Sequence, residues 1–291
     1  MVPRPAKTTN PLSQWMRQPK IYIRLPSNGR YWPDQSIDIP NNLEFPVYSM
    51  TARDELLFKT PDALMNGQAI VDVIQSCVPN IKNAWECPTL DLDTILIAIR
   101  LATYGEIMPF KFKVPNIQEE IDYEIDLRTL LDQQSNNLWE EVIIINDELA
   151  VHVKPLTYRH LTKTNLKSFE TNRIFNMVND ENLPEEQKLE IFNDSFGKLT
   201  RITIDLLSDS VFKIVADSQE VTDKSHISEF INNTDKEIFA QIQDHIKRLK
   251  EHNDLKPLRV ESTPEQIALG APETYNIPIT FNNSDFFAQG F

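Results

Sequence analysis

Six glycines and two cysteines among 291 residues set the first limits. A Walker loop or a dinucleotide fingerprint needs glycines clustered within a few positions, because the backbone must come close to a phosphate. The glycines here are scattered, so both patterns are absent, as is a Gly-x-Ser-x-Gly nucleophile elbow. Cys77 and Cys87 are too few for a disulfide framework and suit a reducing compartment. Long apolar runs are missing too. Ile95–Ile99 and Val142–Ile145 are the longest, far short of the ~18–20 residues of a membrane span. The N-terminus is basic with no apolar run behind it, unlike a secretory signal. A soluble, intracellular chain with no membrane partner is expected.

Acid is absent from the first 33 residues, which carry Arg4, Lys7, Arg17, Lys20, Arg24 and Arg30. The rest holds 23 basic and 43 acidic residues, a balance of −20 within a net charge of −14. An acidic body argues against nucleic acid as a partner, since phosphate contacts need cations. The basic arm is read either as a solvated terminus or as a segment that docks on an acidic partner, with Arg17 and Lys20 as its candidate contacts.

No residue set carries recognisable chemistry. The five histidines have no metal-binding spacing with one another or with cysteine. His245 and His252 read as a solvated helix end. The carboxylate pairs Glu119-Glu120 and Glu185-Glu186, and the series Asp122, Glu124 and Asp126, fall on polar strand faces or in a first helical turn. Acid–base work needs carboxylates in contrasting environments. Trp15, Trp32, Trp85 and Trp139 are scattered and read as packing residues. No catalytic, cofactor-binding or metal-ligating residue is assigned, and no small-molecule substrate is implied.

Periodicity gives an α+β chain in five parts. Residues 1–20, with four prolines, form an extended basic arm. Residues 21–47 hold short strands: Ile21 to Leu25 alternate, Pro26-Ser27-Asn28-Gly29 is a turn, and Ile37-Asp38-Ile39 is a second strand. Residues 48–156 join a helical block to one small antiparallel sheet. In the block Thr51 caps a first helix, Thr60-Pro61-Asp62 starts a second, and Gly67 opens a third. A helix from near Asp91 ends at Gly105. The sheet takes Phe110–Val114, Ile121–Leu127, Val142–Ile145 and Leu149–Val153, with Asn146-Asp147 as a turn and a helical turn near Arg128–Gln134. Residues 157–254 read as a helical domain. Pro184 opens one long helix that softens at Gly197, and Thr234-Asp235-Lys236-Glu237 is a capping box opening another. Residues 255–291 form an extended tail. Tyr275, Ile277, Ile279 and Phe281 alternate as in a segment added to a sheet edge. Phe281, Phe286, Phe287 and Phe291 form an aromatic anchor for a partner or for the chain itself.

One stretch is recognisable as a motif: Pro46-Val47-Tyr48-Ser49-Met50-Thr51-Ala52-Arg53-Asp54-Glu55-Leu56-Leu57, continued by Lys59 to Leu64, Asn66-Gly67-Gln68-Ala69 and Val73 to Pro79. With Asp91-Leu92-Asp93, Ala98-Ile99-Arg100, Tyr104-Gly105-Glu106, Lys154-Pro155-Leu156-Thr157-Tyr158 and Pro278-Ile279-Thr280-Phe281, it resembles the baseplate protein family of T-even-type contractile-tailed phages, grouped with the baseplate hub assembly proteins. The likeness spans most of the chain and is strongest over residues 45–130. It implies a non-enzymatic tail protein that binds hub, tape-measure or other tail proteins. Such a protein acts in the host cytoplasm during assembly and is either retained in the virion or released as a chaperone. Relatives carry a Cys-Pro-x-Cys knuckle before a strand ending in Asp-Leu-Arg. Here the matching residues are Val114-Pro115-Asn116-Ile117 and Asp126-Leu127-Arg128. Val and Ile cannot ligate zinc, so the resemblance implies a degenerate, metal-free zinc-ribbon-like knuckle packed through Val114 and Ile117.

Two rivals belong to other classes. A relic of a nucleic-acid-binding ribbon is opposed by the acidic sheet around Asp122, Glu124 and Asp126. A hydrolase is opposed by the lack of any nucleophile–base spacing.

Overall fold

The structure is a computed structural model that describes residues 12, 15–57, 67–118, 120–134, 138–178 and 184–279; within these, only the backbone is described for 170–178, 185–187, 190 and 191. The fold is α+β, with helices packed around small antiparallel sheets.

A helix buried along most of its length, α3 (Thr89–Tyr104), organises the first core. A helix buried on most sides has little need of a polar stripe, and Leu90, Leu92, Ile95, Leu96, Ile97, Ile99 and Leu101 are all buried. Its last turn is closed by the Gly105 N–H to the Leu101 carbonyl at 3.1 Å, with Gly105 at φ +95°. Around it pack α2 (Gln68–Cys77) and the hairpin of β1 (Pro19–Ile23) and β2 (Phe45–Tyr48). α1 (Ala52–Leu57) lies alongside α2, and α4 (Leu127–Gln134) against α3. The strand that pairs with β1 is therefore Phe45–Tyr48, not Ile37–Ile39. Ile37 makes only an isolated bridge to Ile81. Pro40 explains this in part, since it can donate no ladder hydrogen bond.

Gly67 opens α2 at φ +80°. A Cβ there would stand 3.0 Å from both the Tyr158 hydroxyl and the Thr162 hydroxyl of α5 (Tyr158–Val178). The helix start read at Thr60-Pro61-Asp62 lies outside the described residues.

The single sheet expected over residues 109–155 is two. β3 (Ile107–Lys113) and β4 (Glu120–Asp126) form a hairpin of their own. β5 (Val142–Ile144) and β6 (Leu149–Val153) join β7 (Val211–Ala216) and β8 (Gln219–Val221) in a four-stranded antiparallel sheet of order β5-β6-β7-β8. The helical reading of residues 157–252 thus fails at Val211–Val221. Asp217 and Ser218, both at positive φ, turn β7 into β8. Elsewhere in that span α5, α6 (Glu185–Ser210), α7 (Lys224–Asn233) and α8 (Lys236–Asn253) are helical. α6 runs unbroken through Gly197. The cap of α8 is Asp235, whose carboxylate accepts from Ile238 N–H at 2.9 Å, one residue later than the Thr234 expected. A second core lies between the sheet and α7, α8 and the end of α6. It contains Ile143, Val151, Ile214, Ile227, Ile231 and Ile242.

The segment after residue 255 is not simply extended. β9 (Leu258–Glu261) and β10 (Thr274–Ile277) form an antiparallel hairpin around a short helix, α9 (Pro264–Ala268). Thr263 and Gln266 cap α9 reciprocally, with Pro264 at its first position. This hairpin packs on β3–β4 in a third core where Val114, Ile117, Tyr275 and Ile277 are all buried. Phe112 stacks on Tyr275 at 5.9 Å, and the Tyr123 and Tyr275 hydroxyls meet at 2.6 Å.

Candidate interaction surfaces

The polar residues of the recognisable motifs are joints. Asp91 is sealed in the first core and accepts from Ser27 N–H at 2.8 Å, from the Ser27 hydroxyl and from Trp32 Nε1–H at 2.7 Å. Burial pushes its carboxyl up to about 6 despite these donors. Asp54 accepts from Thr51 N–H at 2.7 Å, the Thr51 hydroxyl at 2.8 Å and the Ser76 hydroxyl at 3.0 Å, which ties α1 to α2. Arg100 is fully buried over the Tyr104 ring. Thr89 N–H donates to Leu156 C=O and Tyr158 N–H to Cys87 C=O, so the Lys154–Tyr158 motif clips α5 to α3. Asp91, Asp54 and Arg100 are buried, out of reach of a substrate.

Cys77 and Cys87 are buried free thiols; burial pushes Cys77 up to about 12 and Cys87 well above its ordinary range. Among the described residues no three His, Cys, Asp or Glu side chains converge as a metal set, and no helix is long and apolar enough to cross a membrane.

A cleft of about 380 Å³ lies between α5, α6 and α7, lined by His160, Lys163, Lys167, Asp205, Asp209 and Lys224 among others. Its histidine has a partner at each ring nitrogen. Nδ1 lies 2.8 Å from the Thr157 hydroxyl at the start of α5, and Nε2 lies 3.4 Å from Asp209. Burial lowers the His160 pKa, opposed by Asp209 and reinforced by Lys224. Lys154 is lowered likewise, by burial and then by Lys224. His160 thus bridges the Thr157 hydroxyl and the Asp209 carboxylate, joining the start of α5 to the end of α6.

The strongest candidate surface is the β5 edge. Val153 N–H donates to Glu141 C=O at 2.7 Å and Ile145 N–H to Leu149 C=O at 3.0 Å. In an antiparallel ladder this turns the odd-numbered residues of β5 toward β6, so the N–H and C=O groups of Val142 and Ile144 point to the free edge. The Ile144 side chain is 76% exposed. The opposite edge, β8, carries exposed Gln219 and Glu220, with Glu220 paired to Lys213 at 2.9 Å. Charge of that kind is how edges are blunted; β5 has none. Beside β5 runs a groove of about 740 Å³ whose other wall is α8, with Asp244, His245, Arg248 and Glu251. Arg248 has no ion-pair partner among the described residues. His245 is not the solvated residue expected. It is buried, with Nε2 at 3.0 Å from the Glu140 carbonyl, and so holds the start of β5 against α8. His252, two turns further along α8, is exposed.

Of the residues singled out from sequence, Arg17 is engaged within the chain. Its guanidinium donates to Ser49 C=O at 2.7 Å and Ser76 C=O at 2.6 Å and lies 3.5 Å from Asp54. Lys20 is exposed on β1. Val114 and Ile117 sit at the β3–β4 turn, in the third core. Phe281, Phe286, Phe287 and Phe291 lie outside the described residues. Sequence reading missed the β5 edge and groove, because which residues of a strand face its neighbour depends on the β6 pairing and not on the strand itself.

A strand edge beside a helix-walled groove is a geometry that can take an extended segment of another protein. The family is specific: residues 21–263 match the family described as T4 bacteriophage base plate protein, and the chain belongs to it. No curated protein and no solved structure matches the chain. Membership makes it a phage baseplate protein whose partners are other tail or baseplate proteins.

Proposed function

We propose that the chain acts in baseplate hub assembly as a non-enzymatic subunit, binding hub, tape-measure or other tail proteins through surface complementarity. The observation that carries this is the β5 edge. Val142 and Ile144 offer main-chain groups that pair with no other strand among the described residues and that lie along a groove, which is the geometry for adding an extended segment of a partner as a fifth strand. The C-terminal phenylalanines Phe281, Phe286, Phe287 and Phe291 serve as a second anchor and Lys20 as a contact of the basic arm, while Arg17 fixes the base of that arm. The Val114-Pro115-Asn116-Ile117 turn stands in for a zinc knuckle, apolar packing replacing the metal. In this reading the chain divides into a basic arm over 1–20, strands over 21–47, a helical block with sheet over 48–156, a largely helical part over 157–254 and an anchoring tail over 255–291.

Quantitative mass spectrometry of purified virions tests the assignment. Peptides of the chain at a fixed stoichiometry to baseplate proteins are expected. Absence from virions, with the chain bound to hub intermediates in infected cells, would select the chaperone alternative. Absence from both would overturn the reading.

A further inference from the structure

The described chain ends beside a cleft that no described residue fills. β10 runs antiparallel to β9 with Ile277 opposite Leu258, so the residues after Ile277 head past Pro257 and Lys256 toward the end of α8. Lys256 stands at that end, its Nζ donating to the Glu251 and His252 carbonyls at 2.9 and 3.0 Å. Ile279, the last residue described, packs on the first core, as does Leu255. Residues 280–291 therefore set out from beside the last turn of α8. There a cleft of about 350 Å³ is lined by Leu138, Glu140, His245, Arg248, Leu249 and His252. Asn253 Nδ2 donates to Leu138 C=O at 3.3 Å and holds the two walls together at the helix end.

The cleft is at the small end for a ligand pocket and suits one aromatic ring. Leu138 is 77% exposed on one wall, with buried Leu249 opposite. Arg248 has neither an ion-pair partner nor a ring beneath it among the described residues. Arg17, Arg30, Arg100 and Arg159 lie 5.2–5.7 Å from the ring centroids of Tyr48, Tyr31, Tyr104 and Trp85, so a ring beside a guanidinium is a contact this fold already uses. The chain beyond Ile279 carries such a ring at the matching distance. Phe281 is two residues on, about 7 Å of extended chain, and Asn253 to Leu249 is only about 6 Å of helix. Phe286 and Phe287 come five and six residues later, past the cleft. Thr280, Asn282, Asn283 and Ser284 are uncharged, so no ion is drawn in with the ring.

We propose that Phe281 seats in the cleft between Leu138 and the end of α8, rooting the C-terminal tail on the chain's own body. The inference rests on the proposed function for the tail's anchoring role, and it divides that role. Phe281 holds the tail. The cleft shares Glu140, His245 and Arg248 with the groove beside β5, so Phe286, Phe287 and Phe291 are delivered to the partner that adds to that edge.

Fluorine NMR of the full chain with 4-fluorophenylalanine at position 281 tests it. A docked resonance, displaced from that of the free amino acid, is expected at every protein concentration. Burying one such ring favours the docked over the free form by about 10- to 100-fold, and Leu138→Asp should remove most of that preference and return the resonance to the free position. Circular dichroism of Leu138→Asp should be unchanged, because the residue is exposed. Leu269→Asp places the same charge at another exposed leucine, at the far end of the β9–β10 hairpin, and should leave the docked resonance in place. A free resonance in the unaltered chain, or a docked one indifferent to Leu138→Asp, would overturn the proposal. A docked fraction that falls on dilution would overturn it too, since the occupant would then be the tail of a second copy. Virion mass spectrometry reads the assembly role separately: a chain absent from virions with its Phe281 docked sinks that role alone.

Discussion

Asp91 sits with its carboxylate sealed in the first core, and two donors there, Ser27 N–H and Trp32 Nε1–H, depend on it. Asp91→Ala leaves both buried and unpaired, at a cost of about 2–5 kcal/mol, which urea denaturation would measure. Its ionisation gives a second signature. Burial pushes Asp91 and, with help from Asp254, Asp93 up to about 6. A carboxyl with a higher pKa folded than unfolded binds more protons in the folded state between the two values. Stability should therefore fall as pH rises from about 4 to about 6 and level off above that. Asp91→Asn should flatten part of this slope; a profile unaffected by the substitution would contradict the assignment. Some of this was legible beforehand. Thr51, Asp54, Gly67 and Gly105 act at the helix ends where their chemistry places them. The Asp91 node was not, since its donors lie 59 and 64 residues away in sequence and only the fold brings them together.

At the scale of elements, β5 separates a structural residue from a binding one at adjacent positions. The Ile143 main chain bonds to β6 and its side chain is buried, whereas the Ile144 N–H faces outward. Ile143→Pro is therefore expected to unfold the sheet edge. Ile144→Pro should cost under about 0.5 kcal/mol, because it removes no ladder bond, and yet should abolish incorporation into tails. Thermal unfolding paired with a complementation assay reads both effects. An Ile144→Pro protein that is folded and still builds infectious tails would remove the edge from the account. Long periodic helices were plain in sequence. β7 and β8 were not, because two short strands between strong helices give few alternating positions, although Asp217-Ser218 is a turn signal of the kind that joins hairpins. The start of α9 was likewise written in Thr263-Pro264-Glu265-Gln266, a capping box with proline at the first helical position. The β5–β6 hairpin was marked by its Asn146-Asp147 turn, but the pairing of β6 with β7 could not be read, since β7 lies about sixty residues away and pairing at that distance leaves no local mark.

For the whole molecule, the first two apolar cores are joined by a polar contact, Arg30 reaching Glu141 at the start of β5 at 2.7 Å, while within the first core Arg159 reaches Glu86 at 2.8 Å and lies over the Trp85 ring. Tyr31 and Trp139 meet edge-on at the first of these joints. Of the recognisable motifs, Asp54, Asp91 and Arg100 are buried in the first core, where Asp54 ties α1 to α2 and Asp91 holds Ser27 and Trp32. These contacts fix the relative placement of the elements they join. The proposed function has the chain build baseplates by contact alone. Electron microscopy of cells infected with phage lacking this gene tests it most directly. The account predicts filled heads without complete baseplates or tails, restored by the wild-type chain supplied in trans and not by Ile144→Pro. Normal contractile tails in the absence of the chain would contradict it.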